Sequence, residues 1–173
     1  IRVKDSRYAM ACIAAAWFDY PAAKLKTIGI TGTKGKTTTT YLVKSILENA
    51  GHKTGLIGTI ETVIGDTRIP SANTTPESYL VQEYFAKMAE AGCDSVVMEV
   101  SSQGLMLHRT AGFTFDIGIF TNIEPDHIGP NEHKDFEDYM HCKSLLFQQC
   151  KVGIFNGDDP HLAQILEGHT CQV

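Results

Sequence analysis

Gly32-Thr33-Lys34-Gly35-Lys36-Thr37 packs two glycines, two ammonium groups and two hydroxyls into six consecutive residues. Such a turn is suited to phosphate. Glycines let backbone N–H groups turn inward around phosphate oxygens, and a following helix adds positive potential at its N-terminus. Lys36 can reach the terminal phosphates, and the Thr37 hydroxyl can hold Mg²⁺. The full nucleotide-loop pattern wants a glycine where Ile30 stands; Gly29 is next door, so only the Gly-x-x-Gly-Lys-Thr half matches. Half a motif is weak alone. The apolar run Thr27–Thr31 before it and the helical period after it supply the strand–turn–helix context that nucleotide binding requires. The competing reading is a plain glycine-rich turn capping a helix.

Two further groups belong with this loop if the strands run parallel. Glu99 falls at the end of a β-branched run, Ser95–Val100. His127 follows the run Asp116–Thr121 after a short loop. Ligands of parallel sheets sit beyond the carboxyl ends of the strands, so all three loops meet at one edge. A carboxylate and an imidazole there can coordinate Mg²⁺ directly or through water, although imidazole is an uncommon Mg²⁺ ligand. Taken singly, Glu99 reads as a solvated strand end and His127 as a surface loop residue. Lys143 is anomalous in another way. It stands within the apolar stripe Phe136, Tyr139, Met140, Leu146 and Phe147, where an ammonium is costly unless paired. Snorkelling past its own stem is the common solution; pairing or chemical alteration is the other.

These residues need elements to hold them, and the pattern alternates strand and helix. After Thr27–Thr31 a helix runs from about Thr37, with Leu42, Val43, Ile46, Leu47 and Ala50 on one face and Gly51 as its C-terminal cap. Thr54–Thr59 reads as a strand, and Glu61–Ile69, centred on Gly65-Asp66, as a hairpin. Pro76 reads as a first helical residue, followed by a core stripe of Leu80, Val81, Tyr84, Phe85 and Met88. Asp135–Gln149 reads as helix, Val152–Phe155 as strand and His161–Glu167 as a short helix. The expected fold is α/β, a mostly parallel, doubly wound sheet with a phosphate loop. The apolar run Ala9–Phe18 is too short to span a membrane and reads as a buried helix.

The chain has 173 residues, a formal charge of −5 and 43% apolar residues, as suits a single folded domain. The acidic balance argues against a nucleic-acid partner. Residues 1–60 carry 9 basic and 3 acidic groups, leaving 6 basic and 17 acidic groups for the remainder. That asymmetry suits an anion site early and a cation site late. Five cysteines without a Cys-x-x-Cys pair read as reduced, mostly buried thiols of a cytoplasmic protein.

The residues resemble the Mur ligases, and within them the tripeptide synthetases of peptidoglycan assembly. The resemblance rests on Asp5-Ser6-Arg7, Gly29–Thr39, Gly55–Thr59 and Asn73-Thr74-Thr75-Pro76. It continues through Met98–Leu105, His108-Arg109, Phe120-Thr121-Asn122, Pro125-Asp126-His127, Asp138-Tyr139 and Lys143–Phe147, in family order over nearly the whole chain. Cyanophycin synthetase shares the phosphate loop; folylpolyglutamate synthetase is similar but usually has Gly where this chain has Thr37. The resemblance implies an ATP-dependent amide ligase with Mg²⁺, joining L-lysine or meso-diaminopimelate to UDP-N-acetylmuramoyl-L-alanyl-D-glutamate through an acyl phosphate. It implies ATP on Gly32, Thr33, Lys34, Gly35, Lys36, Thr37 and Thr38, and the UDP-muramoyl-dipeptide on Asn73, Thr74, Thr75, Ser101 and Arg109. Lys36, Glu99, His127 and Lys143 become the catalytic set. Thr37, Glu99, His127 and a carbamate on Lys143 become the metal set.

The sequence departs from that family in places. Lys34 stands where many members have Asn, Leu107 where several have a substrate-touching Gln, and Ile128–His133 replaces the usual acidic and His-Gly stretch. Residues 1–173 are expected to form the central domain alone, cut short at its end, without the uridine-binding and closing domains. A monomer without membrane insertion, inactive alone, is the corresponding expectation. Two other functions stay open on the residues: a P-loop kinase or NTPase, and a non-catalytic nucleotide-binding module.

Overall fold

The computed structural model describes residues 2–130 and 132–173. The elements are α1 (Ser6–Trp17), β1 (Lys26–Thr31), α2 (Lys36–Asn49), β2 (Thr54–Ile57), β3 (Glu61–Ile64), β4 (Thr67–Pro70) and α3 (Ser78–Glu90). There follow β5 (Ser95–Glu99), α4 (Ser102–Met106), β6 (Phe115–Phe120), α5 (Phe136–Ser144), β7 (Cys150–Phe155) and α6 (Leu162–Ile165). Single 3₁₀ turns cover Pro21–Lys24 and Leu145–Gln148.

The strands form one seven-stranded sheet in the order β4-β3-β2-β5-β1-β6-β7. β2, β5, β1, β6 and β7 are mutually parallel, and the β3–β4 hairpin adds an antiparallel edge. The fold is thus α/β and mostly parallel, as the alternation required. β1 lies between β5 and β6, although the chain reaches β2 before either. Its carboxyl end is therefore a topological switch point, where the loops diverge and leave a crevice.

β1 and β5 are buried along almost their whole length because helices cover both faces. On one face Val43 and Leu47 of α2 pack over Ile28, Ile30 and Val97. On the other, Val81, Phe85 and Met88 of α3 join Val96, Met98, Phe115, Phe120, Tyr139, Leu146 and Phe147. Each such side chain contributes about 1.5–3 kcal/mol by leaving water. Gly51, at φ +92, ends α2, and the His52 N–H donates back to the Leu47 carbonyl.

Several local expectations are corrected. Leu42, Ile46 and Ala50 face solvent rather than the core, so only Val43 and Leu47 of the α2 stripe reach the sheet, and these are half-buried. Pro76 precedes its helix by two residues, with Glu77 between as the N-cap. The expected helix Asp135–Gln149 uses Asp135 as N-cap and tightens to 3₁₀ geometry after Ser144. The apolar N-terminal helix buries only Ala11, Ala14 and Ala15; Tyr8, Met10, Ile13 and Trp17 are exposed. Among the described residues no helix is long and apolar enough to cross a membrane. All five cysteines are unpaired; Cys12 is half-buried and the other four are buried.

Candidate active site

The phosphate loop joins β1 to α2 and is shaped by the strand beside it. Gly32 has φ +149, and a Cβ there would lie 1.9 Å from the Thr121 hydroxyl, so glycine is required. Gly35, at φ +81, forms the left-handed N-cap of α2. The loop after β6 fixes the turn: Thr33 N–H donates to the Asn122 carbonyl (2.9 Å) and Lys34 N–H to Asn122 Oδ1 (2.9 Å). Asn122 Nδ2 and the Thr121 hydroxyl both donate to the Lys34 carbonyl. In the first turn of α2, the N–H groups of Lys36, Thr37 and Thr38 have no intrahelical carbonyl to bind, which leaves them for an anion. The Lys34 ammonium is engaged by Glu124.

Lys36 does not stand free in solvent, contrary to what a loop lysine suggests. Its Nζ donates to the carbonyls of Gly32 (2.8 Å) and Thr33 (3.0 Å). Burial lowers its pKa, with Glu99 and Asp126 opposing that shift. Lys143 comes to the same point from α5. It is 1% exposed, and its Nζ donates to the Gly32 carbonyl at 2.8 Å, over the Tyr139 ring at 4.5 Å. The snorkelling reading is therefore overturned: the stem is enclosed on all sides and the amine points inward. Burial, and then the Lys36 charge, hold the Lys143 pKa well below the usual lysine range. Two amines on one carbonyl oxygen cannot both stay charged cheaply. Beside them, burial pushes the Tyr139 phenol up to about 12.

Glu99 is also buried, not a solvated strand end. One carboxylate oxygen accepts from Thr59 N–H (2.9 Å), the other from the hydroxyls of Thr37 and Thr59 (3.0 Å each). A Cβ on Gly58 would lie 2.5 Å from Glu99 Oε1, so the β2 loop approaches this closely only with glycine. The Thr37 hydroxyl and Glu99 make an all-oxygen pair at the start of α2, which fits a hard cation such as Mg²⁺. His127 is exposed, at φ +54, with Nδ1 on Glu132 (3.2 Å).

A cleft of about 240 Å³ adjoins the loop. Lys36, Asn73, Thr74, Thr75, Ser101, Arg109 and His127 line it, so all five residues of the expected substrate set converge with the loop lysine. Its size suits the reacting end of a ligand, since whole-ligand pockets run to about 300–1,000 Å³. The groups differ in what they have left to offer. Thr75 is fully buried; its hydroxyl donates to the Glu99 carbonyl and accepts from Ser101 N–H, clamping the end of β5. The Ser101 oxygen caps α4 through Gly104 N–H. The Thr74 hydroxyl meets that of Thr59 (3.0 Å), and Asn73 is exposed. Arg109 binds the Thr75 carbonyl and Glu77, which it shares with Arg7.

Sequence reasoning missed Thr59 and Asn122, which orient Glu99 and the loop. It also missed His133, which is fully buried between Ser102 and Asp138. The helical-period test weighs apolar positions and passes over polar loop residues. The available signals were nearness to the strand ends and, for Thr59 and Asn122, their place in the family-like stretches Gly55–Thr59 and Phe120-Thr121-Asn122.

The Mur ligase middle domain family matches residues 30–173. A UDP-N-acetylmuramoyl-L-alanyl-D-glutamate–2,6-diaminopimelate ligase of Clostridium perfringens (strain 13 / Type A) is 48% identical over 167 residues, 96% of this chain and 34% of that protein. A solved structure of a ligase of the same name superposes with a TM-score of 0.84 at 27% identity, over 96% of this chain and 34% of that one. Escherichia coli FolC in complex with DHPP and ADP gives a TM-score of 0.68 at 20% identity, over 99% of this chain and 46% of that one, a likeness of fold alone. The chain thus spans about a third of the length of the ligase sequence it matches.

Proposed function

The chain belongs to the Mur ligase middle-domain family, and from that premise we propose that it is the ATP-binding core of a cytoplasmic peptidoglycan ligase. The ligase joins an amino acid, diaminopimelate or L-lysine, to UDP-N-acetylmuramoyl-L-alanyl-D-glutamate. One observation carries the reading: Lys36 belongs both to the phosphate loop and to the cleft that holds Asn73, Thr74, Ser101 and Arg109. A γ-phosphate on the loop and an acyl end in the cleft therefore meet at one ammonium.

The substrate carboxylate attacks the γ-phosphorus, the bond to ADP breaks, and an acyl phosphate forms. The amine then attacks the acyl carbon, and phosphate leaves with the electron pair. Backbone N–H groups of Lys36, Thr37 and Thr38 hold the phosphates in line. Lys36 leaves its two carbonyls to follow the charge that moves from the γ-phosphate to the β-phosphate. Arg109 steers the anionic substrate with its planar fork. Thr37 and Glu99 would hold Mg²⁺, which neutralises phosphate charge when bound. His127 borders the substrate side of the cleft. Burial lowers the Lys143 pKa and so favours the neutral amine, the form that adds CO₂; its carbamate would offer oxygens to a second Mg²⁺ and relieve the crowding of amines on Gly32. Uridine-binding and closing domains would complete the enzyme, and this chain alone would bind Mg-ATP weakly without turnover. Product analysis on the full-length protein tests the reading: amide, ADP and phosphate are expected. A phosphorylated product without amide would move the protein to the kinases.

A further inference from the structure

The wall formed by His133 and α5 carries three side chains that the mechanism above leaves unused. Asp138 and Cys142 are one helical turn apart on α5 and project from the same face. His133, in the turn before that helix, presents Nδ1 to Asp138 at 3.1 Å. One ligand atom from each of His133, Asp138 and Cys142 lies within 4.8 Å of the other two. His133 and Cys142 are buried, while the Asp138 side chain is 28% exposed and leaves a way in from solvent.

We propose that His133, Asp138 and Cys142 form a Zn²⁺ site, sharing no ligand with the Mg²⁺ pair at Thr37 and Glu99. Imidazole, carboxylate and thiolate make a borderline-soft set that suits zinc, whereas Mg²⁺ takes oxygen ligands and is poorly served by sulfur. Zinc holds nitrogen and oxygen at about 2.0–2.2 Å and sulfur at about 2.3 Å, so tetrahedral donors sit roughly 3.3–3.6 Å apart. From an outer spacing of 4.8 Å that takes up to roughly 1.5 Å of contraction, within reach of side-chain rotation at Asp138 and Cys142. Three protein ligands leave the fourth position to water.

The proton balance is simple. Burial keeps the Cys142 thiol protonated, its pKa pushed up to about 11. As the zinc–sulfur bond forms, the S–H bond breaks and one proton leaves to solvent. His133 changes tautomer without net proton loss. In the free site Asp138 is an acceptor, so Nδ1 carries the hydrogen and Nε2 accepts from the Ser102 hydroxyl (2.8 Å). With zinc on Nδ1, the hydrogen moves to Nε2 and donates to Ser102. The Ser102 hydroxyl keeps its hydrogen and turns it toward the cleft it lines. Zinc occupancy would therefore tie the 127–133 turn to α5 and reset one donor in the cleft wall.

The inference is independent of the ligase reading. Its test uses nucleotide-free, full-length enzyme titrated with Zn²⁺ against a chromophoric chelator, and with Co²⁺ as a spectroscopic substitute. Wild type should bind the ion with a sulfur-to-cobalt charge-transfer band in the near ultraviolet. Cys142→Ala should abolish the band. Asp138→Asn, which spares the thiol, should keep the band and weaken zinc affinity by about tenfold or more. Glu99→Gln should change neither. Absence of the band in wild type, its survival in Cys142→Ala, unchanged affinity in Asp138→Asn, or its loss in Glu99→Gln would each overturn the site.

Discussion

Replacing Lys143 by methionine should make the protein more stable and remove a slope from its pH dependence. The amine is 1% exposed and rests on a carbonyl that Lys36 also occupies. Burial, reinforced by the Lys36 charge, lowers its pKa well below the usual value. In the unfolded chain a lysine titrates near about 10.4. Between the lowered folded pKa and that value, the unfolded state binds more protons than the folded state. Stability contributed by this group therefore rises with pH across that window, by up to about 1.4 kcal/mol per unit. Below the window the full penalty is present; above about pH 10.4 it is gone. Methionine carries no proton and fills a similar apolar volume, and Gly32 keeps Lys36 as a donor. Lys143→Met should thus exceed wild type by on the order of 1–3 kcal/mol at neutral pH, with the gain shrinking toward pH 10. Urea unfolding midpoints at several pH values, in CO₂-depleted buffer, give the difference curve. Shifts common to both proteins, such as those of Tyr139 and Cys150, largely cancel in it. A difference that does not change with pH, or a wild type more stable at neutral pH, would refute the lowered pKa of the buried amine and the chemical ground for its carbamate.

Gly32→Ala should destabilise the protein by about 1–3 kcal/mol and abolish nucleotide binding by calorimetry, because its Cβ would meet Thr121 at 1.9 Å in a left-handed conformation. Normal binding would discount the loop geometry. Lys36→Ala in the full-length enzyme should lower kcat by about 100-fold or more, while its lost bonds to Gly32 and Thr33 cost about 1 kcal/mol in urea unfolding; near-normal turnover would remove Lys36 from the chemistry. Arg109→Ala should raise KM for the UDP-muramoyl substrate and leave that for ATP in place, since Glu77 retains Arg7 as a partner. An equal rise in both would mark Arg109 as purely structural.

How far the sequence carried the fold follows from what each signal measures. The runs Thr27–Thr31 and Ser95–Val100 implied strands of a mostly parallel sheet, and the structure bears that out at Lys26–Thr31 and Ser95–Glu99. The glycine signals also held, at Gly51 and at the hairpin turn on Gly65, because they report backbone angles directly. Periodicity was less reliable where it met unequal cover. Leu42 and Ile46 share the stripe of Val43 and Leu47, yet only the latter pair reaches the sheet. At the site, strand ends brought Lys36, Thr37 and Glu99 together without any long-range information. The depth of Glu99 and Lys143 was not legible, because burial of a charge depends on what the Gly58 and Gly32 loops allow close by. The partner of His127 was not legible either: its imidazole meets Glu132 in the loop after β6.

The central claim is that the loop and the cleft hand a phosphoryl group from ATP to a substrate carboxylate. The most direct test supplies full-length enzyme with UDP-N-acetylmuramoyl-L-alanyl-D-glutamate labelled with ¹⁸O in its carboxylates, together with ATP and the amino acid, and weighs the phosphate released. An acyl phosphate requires one labelled oxygen to leave the substrate and appear in each phosphate as the amide forms. Phosphate without label, alongside amide product, would show that the carboxylate never took the γ-phosphoryl group and would contradict the account.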